Sequence, residues 1–283
     1  MTYRQTLLYI LSAMNKQDIG VRFQPIVSTF QNQTIWSYEA LMWWPDAIDK
    51  GYHTEQIIEL IEAHQLTFDF DLYIFECVLK QLTHWQLTGQ STPRISINLC
   101  PDSIANSNFI PAAHRLLAQY ANIQPQWLSF ELTERVSWRN YQIMQHNLTA
   151  VKNLGIRIGI DDFMTGYANF STLIDDTVDY LKIDRSVIAQ IENSENTRIF
   201  LSGFLELAKR LGKAVVAEGV ENNQQFNFLQ QCGYRKYQGY YFAKPLLADE
   251  VWEFTHFWDQ QDHDLSLLNQ VHLHSNVMQG YLN

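Results

Sequence analysis

Eight short apolar runs punctuate this 283-residue chain, and each ends in a polar or ionisable residue. The clearest are Tyr38-Glu39, Ile95-Ser96-Ile97-Asn98, Phe130-Glu131, Ile158-Gly159-Ile160-Asp161-Asp162, Leu181-Lys182-Ile183-Asp184 and Val215-Val216-Ala217-Glu218. The runs place strands at 22–27, 37–42, 94–99, 127–132, 157–160, 180–183, 214–217 and 236–239. Helical spacing fills most gaps, at 54–64, 70–87, 109–120, 144–154, 197–211 and 224–232, and Gly155 and Gly212 stand where two of these helices stop. Repeated strand–helix alternation predicts a parallel sheet with helical crossovers, and eight strands favour closure into a (β/α)8 TIM-type barrel. A doubly wound open sheet is the alternative, weakened because no GxGxxG follows the first strand.

The polar stretch 28–34 is too short for a helical crossover, so the first two strands are expected to form an antiparallel hairpin in a modified barrel. The apolar run 7–11 reads as the core face of an opening helix. The expected organisation is a single α/β barrel domain over 1–258, then an extension over 259–283 that is a helix or a frayed tail.

In a parallel barrel every strand ends on the same rim, which is where such barrels carry their chemistry. Glu39, Glu131, Asp161, Asp162, Asp184 and Glu218, scattered along the sequence, then become neighbours, with Asn98 among them. Packed without a counter-cation, such carboxylates repel one another and take up protons. Hard oxygen donors of this kind suit Mg²⁺ or Mn²⁺. The adjacent Asp161 and Asp162 can serve two ions, an arrangement that suits phosphoryl displacement. Lys182 supplies a cation to orient the attacking water, and Gln238 a neutral hydrogen bond. A single strand-end carboxylate is more often a cap or a surface ion pair; it is their number that points to a metal centre.

A formal net charge of -10 argues against binding a DNA or RNA polymer. An anionic substrate would need imported positive charge, which metal ions provide. Three separated cysteines, Cys77, Cys100 and Cys232, fit a reduced cytoplasmic interior, and no run is long enough for membrane insertion.

The ordered motifs Phe23-Gln24-Pro25-Ile26-Val27, Glu39-Ala40-Leu41, Asn98, Glu131-Leu132-Thr133-Glu134, Asp161-Asp162-Phe163, Lys182-Ile183-Asp184, Ala217-Glu218-Gly219-Val220-Glu221 and Gln238-Gly239-Tyr240 resemble the EAL-domain family of bacterial cyclic di-GMP phosphodiesterases. The resemblance runs over about residues 15–255. It implies hydrolysis of one phosphodiester of cyclic di-GMP to linear pGpG. It also implies that Glu39, Asn98, Glu131 and Asp161 hold one metal ion, and that Asp161, Asp162 and Glu218 hold a second. Lys182 would contact the nucleophilic water, with Glu218 beside it, and Glu134 would brace the loop after Asp162. Gln24, Leu41, Trp43, Asp184, Gln238, Tyr241 and Pro245 would meet the substrate, with Asp184, Glu221 and Gln238 completing a polar floor. The family often dimerises beside the loop 161–166, so a homodimer is expected, and a regulatory protein partner is a further expectation.

Three positions depart from the family pattern. Trp43 stands where the family has an arginine that grips a substrate phosphate; the indole either stacks on a guanine or packs at the rim. Met164 stands where the loop has glycine, a residue that tolerates backbone angles methionine avoids. Cys100 replaces a frequent serine, a packing change. The alternative these departures raise is a catalytically weak or inactive module acting as a cyclic di-GMP receptor or a protein-interaction domain. The edge 240–242 could stack on a purine.

Overall fold

The computed structural model describes residues 3–29, 34–133, 141–165 and 170–260. Its centre is a closed eight-stranded barrel in sequential order. The strands are β1 (Gly20–Ser28), β2 (Thr34–Trp43), β3 (Ile95–Leu99), β4 (Leu128–Thr133), β5 (Arg157–Phe163), β6 (Tyr180–Ile183), β7 (Ala214–Ala217) and β8 (Lys236–Tyr237). The expected hairpin is present: β1 runs antiparallel to both β2 and β8, while every pairing from β2 round to β8 is parallel. Closure excludes the open-sheet alternative.

The seam that closes the barrel is short. β8 pairs with β1 only at Val27↔Tyr237 and Ser28↔Lys236, and with β7 only at Ala217↔Tyr237. The expected fourth strand residue, Gly239, has already left the ladder; a Cβ there would lie 2.1 Å from the Val220 carbonyl oxygen, so glycine lets the two chain segments cross. Beyond the seam, Phe23 and Leu246 exchange backbone hydrogen bonds of 2.8 and 2.9 Å, which ties the chain after β8 to the start of β1.

Three helices begin two or three residues earlier than apolar periodicity places them, at Thr67, Tyr141 and Glu195 instead of 70, 144 and 197. The last of these opens on the polar run Glu195-Asn196-Thr197, so its apolar stripe starts late. Ser194 accepts from the Thr197 amide and Asn222 from the Gln225 amide, satisfying first-turn donors. Gly155 and Gly212 do stop their helices, with φ of +89° and +71°. The opening helix Tyr3–Lys16 buries Thr6, Ile10 and Ala13, with Leu7 and Leu11 partly covered and Leu8 exposed. Tyr9 of this helix stacks on Trp44 at 4.5 Å and donates to Asp46, just past the end of β2.

The last helix among the described residues, Glu250–Asp259, buries Trp258 against Phe242. Residues 261–283, most of the expected extension, lie outside the described residues. Among the described residues no helix is long and apolar enough to cross a membrane.

One buried acid sits away from the strand-end cluster. Asp71, on helix Thr67–Leu87, accepts a 2.9 Å hydrogen bond from the Cys100 amide at the end of β3. Burial pushes its carboxyl up to about 7, from an ordinary 3.8. The native state then holds a proton that the unfolded chain releases, so stability falls as pH rises from about 4 through 7. Asp71→Asn keeps the acceptor and removes the ionisation. It is expected to leave stability at about pH 3.5 little changed and to raise it at pH 8 by on the order of 2–4 kcal/mol. Urea unfolding at the two pH values checks this; parallel pH profiles for the two proteins would contradict it.

Candidate active site

Side chains two apart on a strand share a face. Asn98, Glu131, Asp161 and Lys182 lie towards the carboxyl ends of their strands, Glu39 lies midway along the longer β2, Glu218 just past β7, and Asp162, with φ of +53°, joins them from the position after Asp161. Register does the rest. Asn98 is level with Glu131, and Glu131 with Gly159. Gly159 is level with Tyr180, and Lys182 sits two residues above that tyrosine. On the antiparallel strand Gln24 lies opposite Glu39. The acids that the sequence scatters are thereby gathered on one rim.

Lys182 occupies the centre. Its ammonium is fully buried and lies 2.6 Å from Glu218, 2.9 Å from both Glu39 and Glu131, and 3.1 Å from Asp161. Burial alone would lower its pKa, but Asp161, Glu131, Glu218 and Glu39 together raise it well above the ordinary lysine value. One ammonium cannot neutralise four carboxylates. Burial pushes Glu131 up to about 7 against the pull of Lys182, with Glu39 and Asp161 adding repulsion. Burial and Asp161 likewise hold Glu218 well above the carboxylate range. Burial, Asp161 and Asp184 raise Asp162 to about 6. Glu39 goes the other way: its burial is outweighed by Lys182 and by hydrogen bonds from Gln238 and Asn98, and its pKa falls. Those bonds measure 2.7 and 2.6 Å.

The donor set fits hard divalent cations. Carboxylate oxygens of Glu39, Glu131 and Asp161 lie within 4.8 Å of one another, and so do those of Asp161, Asp162 and Glu218. The two groups share Asp161, whose Oδ1 is buried and accepts no hydrogen bond. Its one neighbouring cation, the Lys182 ammonium at 3.1 Å, is shared among four carboxylates, so the junction of the two acidic groups keeps an excess of negative charge that a divalent cation would offset. The residues expected to be ligands are those the fold brings together, with Asn98 tied to Glu39 beside them.

Tyr180 is a site residue that the motifs do not flag. Its hydroxyl donates to Glu131 Oε1 at 2.7 Å and fixes that carboxylate's second oxygen. The ring can lie there only because position 159 is glycine, where a Cβ would fall 2.3 Å from the ring. The period-two alignment of Gly159 with Asp161, and of Tyr180 with Lys182, is the sequence signal that carries it.

The substrate-facing residues divide. Gln238 and Gln24 do form a polar floor, Gln238 donating to both Gln24 and Glu39 and Gln24 donating to the Ala243 carbonyl. Asp184 stands beside Asp162 and caps a short helix through the Ser186 amide. Glu221 does not join the floor: it is exposed and lines a groove with Asn223, Gln231, Tyr240 and Lys244. Tyr241 is 5% exposed, packed on Phe226 and Phe242, with its hydroxyl on Asn223, so little of its ring is left to meet a base. Its neighbour Tyr240 is the exposed ring. Leu41 and Pro245 are half-buried at the rim. Glu134 and Gly166 lie outside the described residues. Cys100 is half-buried, and burial pushes its thiol up to about 11, in keeping with a packing role.

Trp43 also stands at the rim, with a guanidinium on its face: Arg22 Cζ lies 3.5 Å from the ring centroid. Met164 adopts φ of +82° and Asp162 φ of +53°. Left-handed backbone is tolerated by aspartate but strained for methionine. Met164→Gly is therefore expected to be about 1 kcal/mol more stable than Met164→Ala, the reverse of the usual order for these two residues. Thermal unfolding of the two variants decides it.

Fold and site together define a barrel built around an acidic, divalent-cation-type centre on its carboxyl rim. Residues 9–245 match the EAL domain family, and the chain belongs to it. It is 30% identical over 214 residues to the cyclic di-GMP phosphodiesterase PA2567 of Pseudomonas aeruginosa, covering 75% of this chain and 36% of that protein. It is 28% identical over 242 residues to the cyclic di-GMP phosphodiesterase NbdA of the same organism, covering 86% of this chain and 31% of that protein. The chain thus spans about a third of the length of these relatives. Among solved structures it resembles the EAL enzyme Bd1971 in its cAMP- and cyclic-di-GMP-bound form, with a TM-score of 0.80, 26% identity and coverage of 89% of this chain and 69% of that one. It also resembles the PaMucR phosphodiesterase in complex with c-di-GMP, with a TM-score of 0.76, 25% identity and coverage of 87% and 99%.

Proposed function

We propose that this chain hydrolyses one phosphodiester of cyclic di-GMP to linear pGpG with the help of two divalent cations, Mg²⁺ or Mn²⁺. The observation that carries the reading is the pair of acidic groups sharing Asp161 around the buried Lys182. Membership of the EAL family and the likeness to the cyclic di-GMP phosphodiesterases NbdA and PA2567 support cyclic di-GMP as the substrate. Glu39, Asn98, Glu131 and Asp161 would hold one ion, and Asp161, Asp162 and Glu218 the other. Bound there, the ions would lower the pKa of a water and offset charge on the phosphodiester.

The protein's own groups do the positioning. Tyr180, Asn98 and Gln238 fix the orientations of Glu131 and Glu39. Lys182, whose ammonium now faces four carboxylates, would turn one hydrogen to the attacking water's oxygen once the ions draw those carboxylates to themselves. That oxygen bonds to phosphorus and the bond from phosphorus to the ribose 3′ oxygen breaks; Glu218 in its ionised form accepts the water's proton, and the departing 3′ oxygen takes up a proton from solvent water. Gln24, Leu41, Trp43, Asp184, Gln238, Tyr241 and Pro245 would border the dinucleotide. Glu134 would brace the loop after Asp162. A cytoplasmic homodimer, open to a regulatory protein partner, completes the reading.

Trp43 and Met164 favour a second reading, a receptor that binds cyclic di-GMP without cleaving it. Incubation of the purified protein with cyclic di-GMP and Mg²⁺ or Mn²⁺, followed by chromatography for pGpG, separates the two. Product formation that EDTA abolishes supports the enzyme; tight binding with no product at high protein concentration supports the receptor.

A further inference from the structure

The antiparallel hairpin places a cation where the family pattern has lost one. Opposite residues of β1 and β2 share a face, so Gln24 with Glu39, Arg22 with Leu41 and Gly20 with Trp43 form three successive inward rungs. Arg22 is one rung above the Gln24–Glu39 pair, about 7 Å along the strand towards the rim. Position 20 has no side chain, and the space beside it is open. The diagonal neighbour Arg22 therefore lies over the Trp43 indole, its Cζ 3.5 Å from the centroid. Such a stack orients a guanidinium without using any of its hydrogens.

Those hydrogens have no anion. Arg22 Nε is buried without a hydrogen-bond partner, and none of the ion pairs among the described residues includes Arg22. A guanidinium held rigid by an aromatic face, with a desolvated and unused N–H, is a preformed receptor for an oxyanion. The carboxylates below are already drawn to Lys182, and they make the rim an unfavourable place for a phosphate unless positive charge is added there.

We propose that Arg22 grips a phosphate of the cyclic dinucleotide, with Trp43 as its backing plate, so that the charge absent from position 43 of β2 arrives from position 22 of β1. The inference rests on the cyclic di-GMP reading. It assigns Arg22 to substrate affinity and Trp43 to holding Arg22, leaving the metal ligands to the chemistry.

The test measures binding of cyclic di-GMP and of guanosine, which lacks phosphate, to the full chain in EDTA, and turnover with Mn²⁺. Arg22→Met is expected to weaken cyclic di-GMP binding about 10- to 100-fold, the effect of losing a charge-assisted contact, and to act on KM more than kcat. Guanosine binding should change less than about 2-fold. Arg22→Lys, which keeps the charge but not the planar fork, should fall between. The swap Arg22→Met with Trp43→Arg should recover most of the loss. Unchanged cyclic di-GMP affinity in a folded Arg22→Met protein, or an equal loss for guanosine, overturns the proposal. If Arg22→Met does not fold, wild-type affinity in Arg22→Lys overturns it. A wild-type chain that neither binds nor cleaves cyclic di-GMP removes the functional reading itself, and this assignment with it.

Discussion

Lys182→Met is expected to yield an inactive protein whose stability collapses selectively at alkaline pH in the absence of divalent ions. The ammonium touches Glu39, Glu131, Asp161 and Glu218, all within 3.1 Å. Removing it leaves four crowded carboxylates with no cation. Deleting one member of a buried ion pair costs about 3–5 kcal/mol, and here one lysine serves four partners. The sign with pH follows from the raised carboxyls. Glu131 at about 7 and Glu218 well above its ordinary value hold protons in the native state that the unfolded chain sheds above about 4.5. Losing Lys182 raises both further, so the variant's deficit grows as pH rises and shrinks towards pH 5. Mn²⁺, binding only the folded state, restores part of it. Urea midpoints at pH 5.5 and 8, each with EDTA and with Mn²⁺, test every part of this. A variant matching wild type at pH 8 in EDTA would mean that the cluster is not held together by this lysine.

The second large effect is on turnover. Glu39→Ala is expected to lower kcat/KM for cyclic di-GMP by about 10³-fold or more, equivalent to roughly 4 kcal/mol of transition-state stabilisation. Glu39 is the acid in the cluster whose pKa falls, held charged by Lys182, Gln238 and Asn98. It is therefore the most dependable anion available to a metal. The fold should survive, because the loss relieves repulsion felt by Glu131 and Glu218. Full activity in Glu39→Ala would refute the ligand assignment. In the same variant, Mn²⁺ should raise the thermal midpoint less than in wild type.

The acidic rim was legible in the sequence because two simple periodicities converge on it. Strand alternation sets the side chain's face, and parallel closure brings the strand ends to one edge. Glu39, Glu131, Asp161, Lys182 and Glu218 follow from these two rules, and Asp162 from its place beside Asp161. What the sequence concealed were contacts between strands whose partners depend on register. The stacking of Arg22 on Trp43 follows only once Gly20 is known to face Trp43. The hydrogen bond from Tyr180 to Glu131 follows only once Gly159 is known to lie between them. Tyr241 and Glu221 sat in motif-like surroundings, but their placement depends on the turn at Gly239, which ends β8 two residues earlier than its apolar run suggests. Asp71 gave no signal because a lone acid on an apolar helix looks like a surface residue until the helix docks.

The short seam at β8 also sets the order in which the protein can be made. β1 and β2 emerge from the ribosome first, yet the outer edge of β1 meets its partner only when Lys236 and Tyr237 have been synthesised. At about 5–20 residues per second, the two hundred residues between them keep that edge unpaired for on the order of 10–40 s. The same late segment carries Gln238, the donor that reaches both Gln24 and Glu39. Gln238 follows Glu218, the last acid of the cluster, by twenty residues, so the polar floor and the seam can close only after every acid has been made.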